Sequence, residues 1–337
     1  MTETRTTMFA NVIVGVDGRP AGRDAITLAA RLLGEGGRLT LAHVRAGELR
    51  PVHAATPGLL DAERTASHDL LERERADADV HADLVSLVAM SPGRGLHDLA
   101  EERGADLLVV GSCSRGPFGR ALLGDDTRAA LNGAPCAVAI AARGYAEHPL
   151  PLASIGVGFN GSPESAAALA LAREVAAPLR AKLSVLEVVS LPNFAFAGVV
   201  PAALGADLEA MVADATARLH ALPDVDGRAV YGLPGEELAA FGATVDLLVV
   251  GSRGYGPVKR LVLGSTSDYL QRHARCSLLV LARTSAREAL KPDPDRRTEA
   301  VQELVQAPVS APGMAAAPTP APASAPAAAP TGAAPAA

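Results

Sequence analysis

At 337 residues the chain has room for about two domains at roughly 100–200 residues each. Aromatic residues make up 3% of it, Trp is absent and the formal net charge is −6, which argues against the basic stripes and stacking platforms of a nucleic-acid binder. The three cysteines, Cys113, Cys136 and Cys276, have no CxxC spacing, which argues against a disulfide framework or a zinc site.

The polar start, Met1 to Met8, has no apolar run of the signal-peptide kind, and no uninterrupted apolar stretch reaches the roughly 18 residues of a membrane span. A cytoplasmic protein is expected. A first strand is predicted near 11–16, then a helix over 21–33 with Ala25, Leu28, Ala29 and Leu32 at helical spacing. A strand near 39–44 precedes a charged helix over 61–78. Its Glu/Arg-rich stretch from Glu63 to Arg75 reads as a solvated face with i,i+4 pairs. A strand near 82–89, a short helix over 96–103, a strand near 107–110, a helix over 118–132 and a last strand near 137–140 follow. The strands are short and almost continuously apolar, as parallel strands covered on both faces are. Pro149 and Pro151 mark a junction near Leu150, after which helices are predicted over 163–179, 206–222, 235–243 and 258–273. From Ala307 the chain is nearly all Ala and Pro and is expected to stay disordered, because it cannot bury enough surface to offset chain entropy. The expected divisions are residues 8–145, 151–285 and 286–337.

The two halves are copies. Asp106-Leu-Leu-Val-Val-Gly-Ser112 recurs as Asp246-Leu-Leu-Val-Val-Gly-Ser252. Val12-Ile-Val-Gly-Val-Asp-Gly18 matches Ile155-Gly-Val-Gly-Phe-Asn-Gly161, and Cys136-Ala-Val-Ala-Ile140 matches Cys276-Ser-Leu-Leu-Val280. An offset of about 140 residues is too long for a solenoid repeat and suits a whole domain. Alternating strand and helix implies a doubly wound parallel sheet, which binds ligands beyond the carboxyl ends of its strands.

After the fourth strand of the second copy the chain runs Gly251-Ser252-Arg253-Gly254 and, after a spacer, Gly264-Ser265-Thr266. Gly251 and Gly254 are expected to allow positive φ and close approach of backbone N–H groups to an anion. Gly264 and Ser265 are expected at a helix start, where N–H groups and the dipole favour phosphate. The same glycines would serve a purely structural βα turn, and Arg253, Lys259 and Arg260 either steer phosphate or are solvated charges. There is no Gly-Lys-Ser/Thr, so this is not a Walker A loop.

The spacing Gly-x2-Gly-x9-Gly-Ser, with Val16-Asp17-Gly18, His43-Val44 and the repeated Asp-Leu-Leu-Val-Val-Gly-Ser, resembles the ATP-binding loop of universal stress proteins, over residues 8–283. The resemblance implies two tandem Rossmann-like domains of the adenine nucleotide alpha hydrolase-like type. Each would hold a five-stranded parallel sheet of order 3-2-1-4-5, with last strands pairing across a dimer or, in a tandem chain, a pseudo-dimer. It implies adenine near the first two strands and phosphates on the glycine loop. Carried over, Asn160, Val188, Gly251, Gly254, Gly264 and Ser265 surround one nucleotide, with Ser252, Arg253 and Thr266 in the same loop. ATP, alone or with Mg2+, is the expected ligand.

Both copies depart from the pattern. The first keeps Asp17, Val44, Gly111 and Gly124 but has Ser114 for the second glycine and Asp125-Asp126 after Gly124. A carboxylate about 4 Å from a phosphate costs roughly 1–4 kcal/mol at effective dielectrics of about 80 to 20, so the first copy is expected to be the weaker site. A bound cation would offset that cost. The second has Asn160 where the family has an acid, which is expected to weaken binding without abolishing it. Cys136 and Cys276 read as small packing residues, with a redox role as the alternative. His43, His97 and His273 are expected in ordinary packing or surface roles. The segment 191–201, with Phe194 and Phe196, either covers the second cleft or packs on its own domain. The expected function is a nucleotide-binding stress regulator with an unnamed protein partner, no nucleic acid and no membrane. It is not expected to be an enzyme. A non-nucleotide interaction module and, below it, a slow ATP hydrolase are the alternatives, and association into a homodimer is left open.

Overall fold

In the computed structural model, residues 9–46, 57–112, 125–149, 151–190, 202–252 and 264–281 are described. The first half runs β1 (Phe9–Gly15), α1 (Pro20–Leu32), β2 (Leu33–Ala46), α2 (Pro57–Asp77), β3 (Asp83–Ala89), α3 (Pro92–Arg103), β4 (Leu107–Gly111), α4 (Asp125–Leu131) and β5 (Ala137–Ala141). The second runs β6 (Ser154–Phe159), α5 (Pro163–Leu179), β7 (Lys182–Val189), α6 (Ala202–His220), β8 (Asp226–Tyr231), α7 (Pro234–Gly242), β9 (Leu247–Gly251), α8 (Ser265–His273) and β10 (Ser277–Leu281). One ten-stranded sheet has the order β3-β2-β1-β4-β5-β10-β9-β6-β7-β8. Each half is therefore a parallel 3-2-1-4-5 sheet. The two meet where β5 and β10 pair antiparallel, Leu279 opposite Ala139. The last strands thus pair within one chain, as the tandem arrangement implied.

Successive strand residues feed opposite faces. Val12, Val14, Leu107 and Val109 belong to one buried cluster, Ile13, Leu108 and Val110 to the other. Burial on both faces is why these strands read as continuous apolar runs rather than alternating ones. Both clusters pass through the β5–β10 seam, with Ala139 and Leu279 in one and Val138, Ile140, Leu278 and Val280 in the other.

The repeated Asp-Leu-Leu-Val-Val-Gly-Ser segment now has a physical account. Asp106 accepts hydrogen bonds from Ala10 N–H (2.8 Å) and Asn11 N–H (3.0 Å). Asp246 accepts from Ala153 N–H, Ser154 N–H and the Ser154 hydroxyl at 2.7–2.9 Å. Each acid ties down amides at the start of its half's first strand, and the four residues after it are buried strand.

Most predicted elements are present, with shifted ends. α3 begins at Pro92, not near 96, because Ser91 caps it, its hydroxyl accepting from Arg94 N–H, and Pro fits the first helical position. β2 starts earlier than expected, and its pairing with β1 shifts register between Phe9 and Asn11. The expected helices over 118–132 and 258–273 are seen as α4 and α8; residues 118–124 and 258–263 lie outside the described residues, as do 286–337.

Helix α2 has the solvated face expected of Glu63–Arg75 and, besides it, a buried polar face that was not expected. Exposed pairs are present, such as Arg75 with Glu72. The inner face, however, carries buried Ser67 and Glu74 beside Leu71. The Ser67 hydroxyl lies 2.6 Å from His43 Nδ1 and donates to Ser86 Oγ at 2.7 Å. Arg45 meets Glu63 at 3.5 Å and Arg23 meets Glu74 at 3.9 Å. The helix is docked by a polar seam, which a hydrophobic-stripe criterion does not detect.

The connection between the halves is fixed by hydrogen bonds. Buried Asp24 on α1 accepts from Gly144 N–H (2.9 Å) and Ala146 N–H (2.7 Å), and Ser277 Oγ on β10 accepts from Ala142 N–H.

Candidate functional site

In each half the central strand has its two neighbours continuing in opposite directions of the strand order, β1 between β2 and β4, β6 between β7 and β9. That reversal opens a crevice at the carboxyl ends of the strands. Because β5 and β10 are antiparallel, the two crevices face opposite ways along the sheet.

One wall of the second crevice is the turn from β6 into α5. Asn160 Oδ1 accepts from Ser162 N–H at 3.1 Å, closing an Asx turn over Gly161 at φ 73°. Ser162 then caps α5, its hydroxyl accepting from Ser165 N–H at 3.2 Å. The first half repeats the turn: Asp17 Oδ1 accepts from Arg19 N–H at 3.0 Å over Gly18 at φ 75°. The Asp-to-Asn change between copies thus preserves the turn, which requires only one side-chain oxygen.

The floor is Gly251. It is not in the left-handed region, contrary to the expectation of positive φ. A Cβ there would lie 2.7 Å from the Glu164 carbonyl oxygen and 2.8 Å from its carbon. At Gly111 it would lie 2.1 Å from the Ala21 oxygen. The glycine is required because the first turn of the helix crosses the strand end at backbone distance. The amide of Ser252 is also not available to a ligand, since it donates to the Leu281 carbonyl at 3.1 Å.

The opposite wall is the start of α8, with Gly264 at the N-cap and no side-chain cap hydrogen bond. Asp268 N–H bonds the Gly264 carbonyl at 2.8 Å. Ahead of it are the first-turn amides that no helix satisfies internally. Apolar walls come from Leu186 and Val188 on β7 and Leu238 on α7.

The result is a cleft of about 750 Å³, within the roughly 300–1,000 Å³ of small-molecule sites. Asn160, Val188, Gly251, Ser252, Gly264 and Thr266, all expected from sequence, line it together. Ser265 opens α8 but is exposed, and buried Ser267 lines the cleft two residues on. Arg253, Gly254, Lys259 and Arg260 lie outside the described residues, as does segment 191–201. The sequence reading missed Ser162, Glu164, Ser190 and Ser267. The first two were discoverable as the turn that follows the first strand of a doubly wound sheet.

The first-half crevice has the same walls but only about 150 Å³, lined by Asp17, Val44, Gly111, His43, Ser112 and Thr127 among others. Thr127 donates its hydroxyl to the Gly111 carbonyl at 3.0 Å. Gly124 and Cys113 lie outside the described residues; Asp125 and Asp126 open α4. His43 packs under α2, the kind of role expected of it, and also lines the crevice. Burial holds its pKa below the usual histidine value, against the pull of Asp17. Glu74 is pushed the other way, upward, also mainly by burial.

Burial pushes the thiols of Cys136 and Cys276 up to about 12. Both stay protonated at neutral pH, which agrees with packing roles. Among the described residues there is no cluster of three or more His, Cys, Asp or Glu side chains fit to hold a metal ion, and no helix long and apolar enough to cross a membrane.

Comparisons with known proteins agree with this geometry. The model of the universal stress protein family matches residues 8–142 and again 152–282. A universal stress protein of Mycobacterium tuberculosis is 32% identical over 218 residues, covering 62% of this chain and 72% of the relative, and a Mycobacterium bovis universal stress protein matches equally. A universal stress protein structure from Archaeoglobus fulgidus superposes with a TM-score of 0.55 at 17% identity, over 81% of this chain and 98% of that one. A putative universal stress protein from Pseudomonas aeruginosa gives 0.54 at 15%, over 83% and 96%. The chain belongs to the universal stress protein family and carries two of its domains in tandem.

Proposed function

We propose that this protein is a nucleotide-binding regulator that holds ATP, free or as its Mg2+ complex, in the second half only. The observation that carries the reading is the contrast between two clefts of common architecture, about 750 Å³ against about 150 Å³. The larger one has an apolar wall of Leu186, Val188 and Leu238 suited to a purine face. Across from it stands the start of α8, whose N-cap is Gly264, a helix N-terminus suited to phosphate oxygens. In the first half the corresponding helix opens on two acids, Asp125 and Asp126, which disfavour phosphate. Binding without turnover is part of the proposal, and its readout passes to a protein partner.

Equilibrium dialysis of the whole chain against ATP, with and without Mg2+, tests it. ATP is expected to bind at one site per chain and to raise the melting temperature, since a ligand held only by the folded state must stabilise it. The double variant Ser265→Asp, Thr266→Asp copies the first half's sequence. It is expected to weaken binding by roughly one to three decades while leaving the helix intact, because acids suit a helix N-terminus. No binding at millimolar ATP, or undiminished binding in that variant, removes the assignment.

A further inference from the structure

The two copies differ at two linked positions. In the first half the strand-end residue is Asp17 and the residue four later, in the first turn of α1, is Ala21. In the second they are Asn160 and Glu164. Each turn carries one carboxylate, but it has moved from the strand end to the first turn of the helix.

The geometry says what each group offers. Asn160 Oδ1 accepts from Ser162 N–H, and the neutral amide at the cleft wall offers an NH2 donor group and one remaining lone pair on that oxygen. Asp17 has a second carboxylate oxygen beyond the one engaged by Arg19 N–H; it lies 3.6 Å from the Arg19 guanidinium and is an acceptor. The strand-end position therefore loses its negative charge and gains a donor between halves. Glu164 brings the carboxylate back to the same wall: it lines the cleft, and its Cβ stands 2.9 Å from where a Cβ on Gly251 would be. It sits where β6, β9 and α5 converge.

We infer that Glu164 is the ligand-binding carboxylate of the second half, accepting hydrogen bonds from nucleoside hydroxyl or amino groups, while Asn160 donates to an acceptor on the same ligand. This rests on the reading of the second cleft as a nucleotide site. It also reverses the expectation that Asn160 is a weakened acid. The substitution is one half of a relocated pair.

Titration calorimetry with adenosine and with ATP separates the outcomes. Glu164→Gln is expected to bind both probes about tenfold more weakly, since the group lost is a charge-assisted acceptor and not a phosphate contact. Asn160→Asp alone, which adds a second acid and removes a donor, is expected to weaken both as well. The double variant Asn160→Asp, Glu164→Gln returns the acid to its first-half position and is expected to recover affinity toward that of the parent. Unchanged adenosine binding in Glu164→Gln, or tighter binding of ATP alone, overturns the inference, the latter marking Glu164 as a mere repulsive charge. Both results leave the nucleotide assignment standing. If the parent chain binds neither probe, that assignment falls and this inference with it. Ligand-free melting of each variant identifies a loss that comes from misfolding.

Discussion

Gly251 shows how a glycine picked out by its spacing can be required for a different physical reason than positive φ. Its place after β9 marked the candidate loop, yet the structure requires glycine there because the Glu164 backbone passes within 2.7–2.8 Å of a Cβ position. Neither partner is a side chain that can swing aside. Gly251→Ala is expected to destabilise the fold by roughly 1–3 kcal/mol through overpacking, in the absence of any nucleotide, as measured by urea denaturation. A loss of ATP binding with unchanged stability would instead restore the phosphate role. Asn160 teaches the converse. Its identity was legible, but that its oxygen closes the turn over Gly161 appears only in the folded chain.

At the scale of elements, the two halves dock their second helices differently. α6 buries Ala215 and Leu219. α2 buries Leu71 in the apolar cluster and adds buried Ser67 and Glu74 over His43, with Glu74 Oε2 and Arg45 Nε lacking hydrogen-bond partners. The pH dependence follows. Burial holds the folded pKa of His43 below the ordinary histidine value of about 6.5, so the folded state prefers neutral imidazole. That stability is present above about pH 6.5 and is lost as pH falls through the folded pKa. Burial raises Glu74 above the ordinary glutamate value of about 4.5. Its contribution is present below about pH 4.5 and is lost as pH rises through the raised pKa. Two outcomes are expected from thermal melts. His43→Gln flattens the fall in stability below pH 6.5, and Glu74→Gln raises stability at pH 7 by about 1 kcal/mol by removing a negative charge that burial disfavours. A Glu74→Gln chain less stable at pH 7 would show that the Arg23 contact outweighs burial.

For the whole molecule, the decisive feature is the β5–β10 seam. Val138 faces Val280 and Ile140 faces Leu278, all buried, and both apolar clusters cross it. Asp24 and Ser277 fasten the connecting turn from either side of it. The two halves are therefore expected to unfold together, in one calorimetric transition. A fragment ending near residue 149 would bare the β5 edge and is expected to self-associate, as read by sedimentation. Two resolved transitions in the intact chain would show that the halves are energetically separate.

The doubled architecture was legible in the amino-acid sequence because it is written in local terms: seven identical residues at a domain-length offset, and apolar runs whose continuity reports burial on both faces. The glycine and hydroxyl residues of the second cleft were legible for the same reason, as a spacing along the chain. Tertiary structure alone decided the rest. That Asp106 and Asp246 serve first-strand amides, that α2 rests on a polar seam, that Glu164 shares a cleft with Gly251, and that one cleft is about five times the other in volume all depend on segments far apart in sequence. A hydrogen bond or a steric limit between such segments leaves no periodicity along the chain, so only the folded molecule displays it.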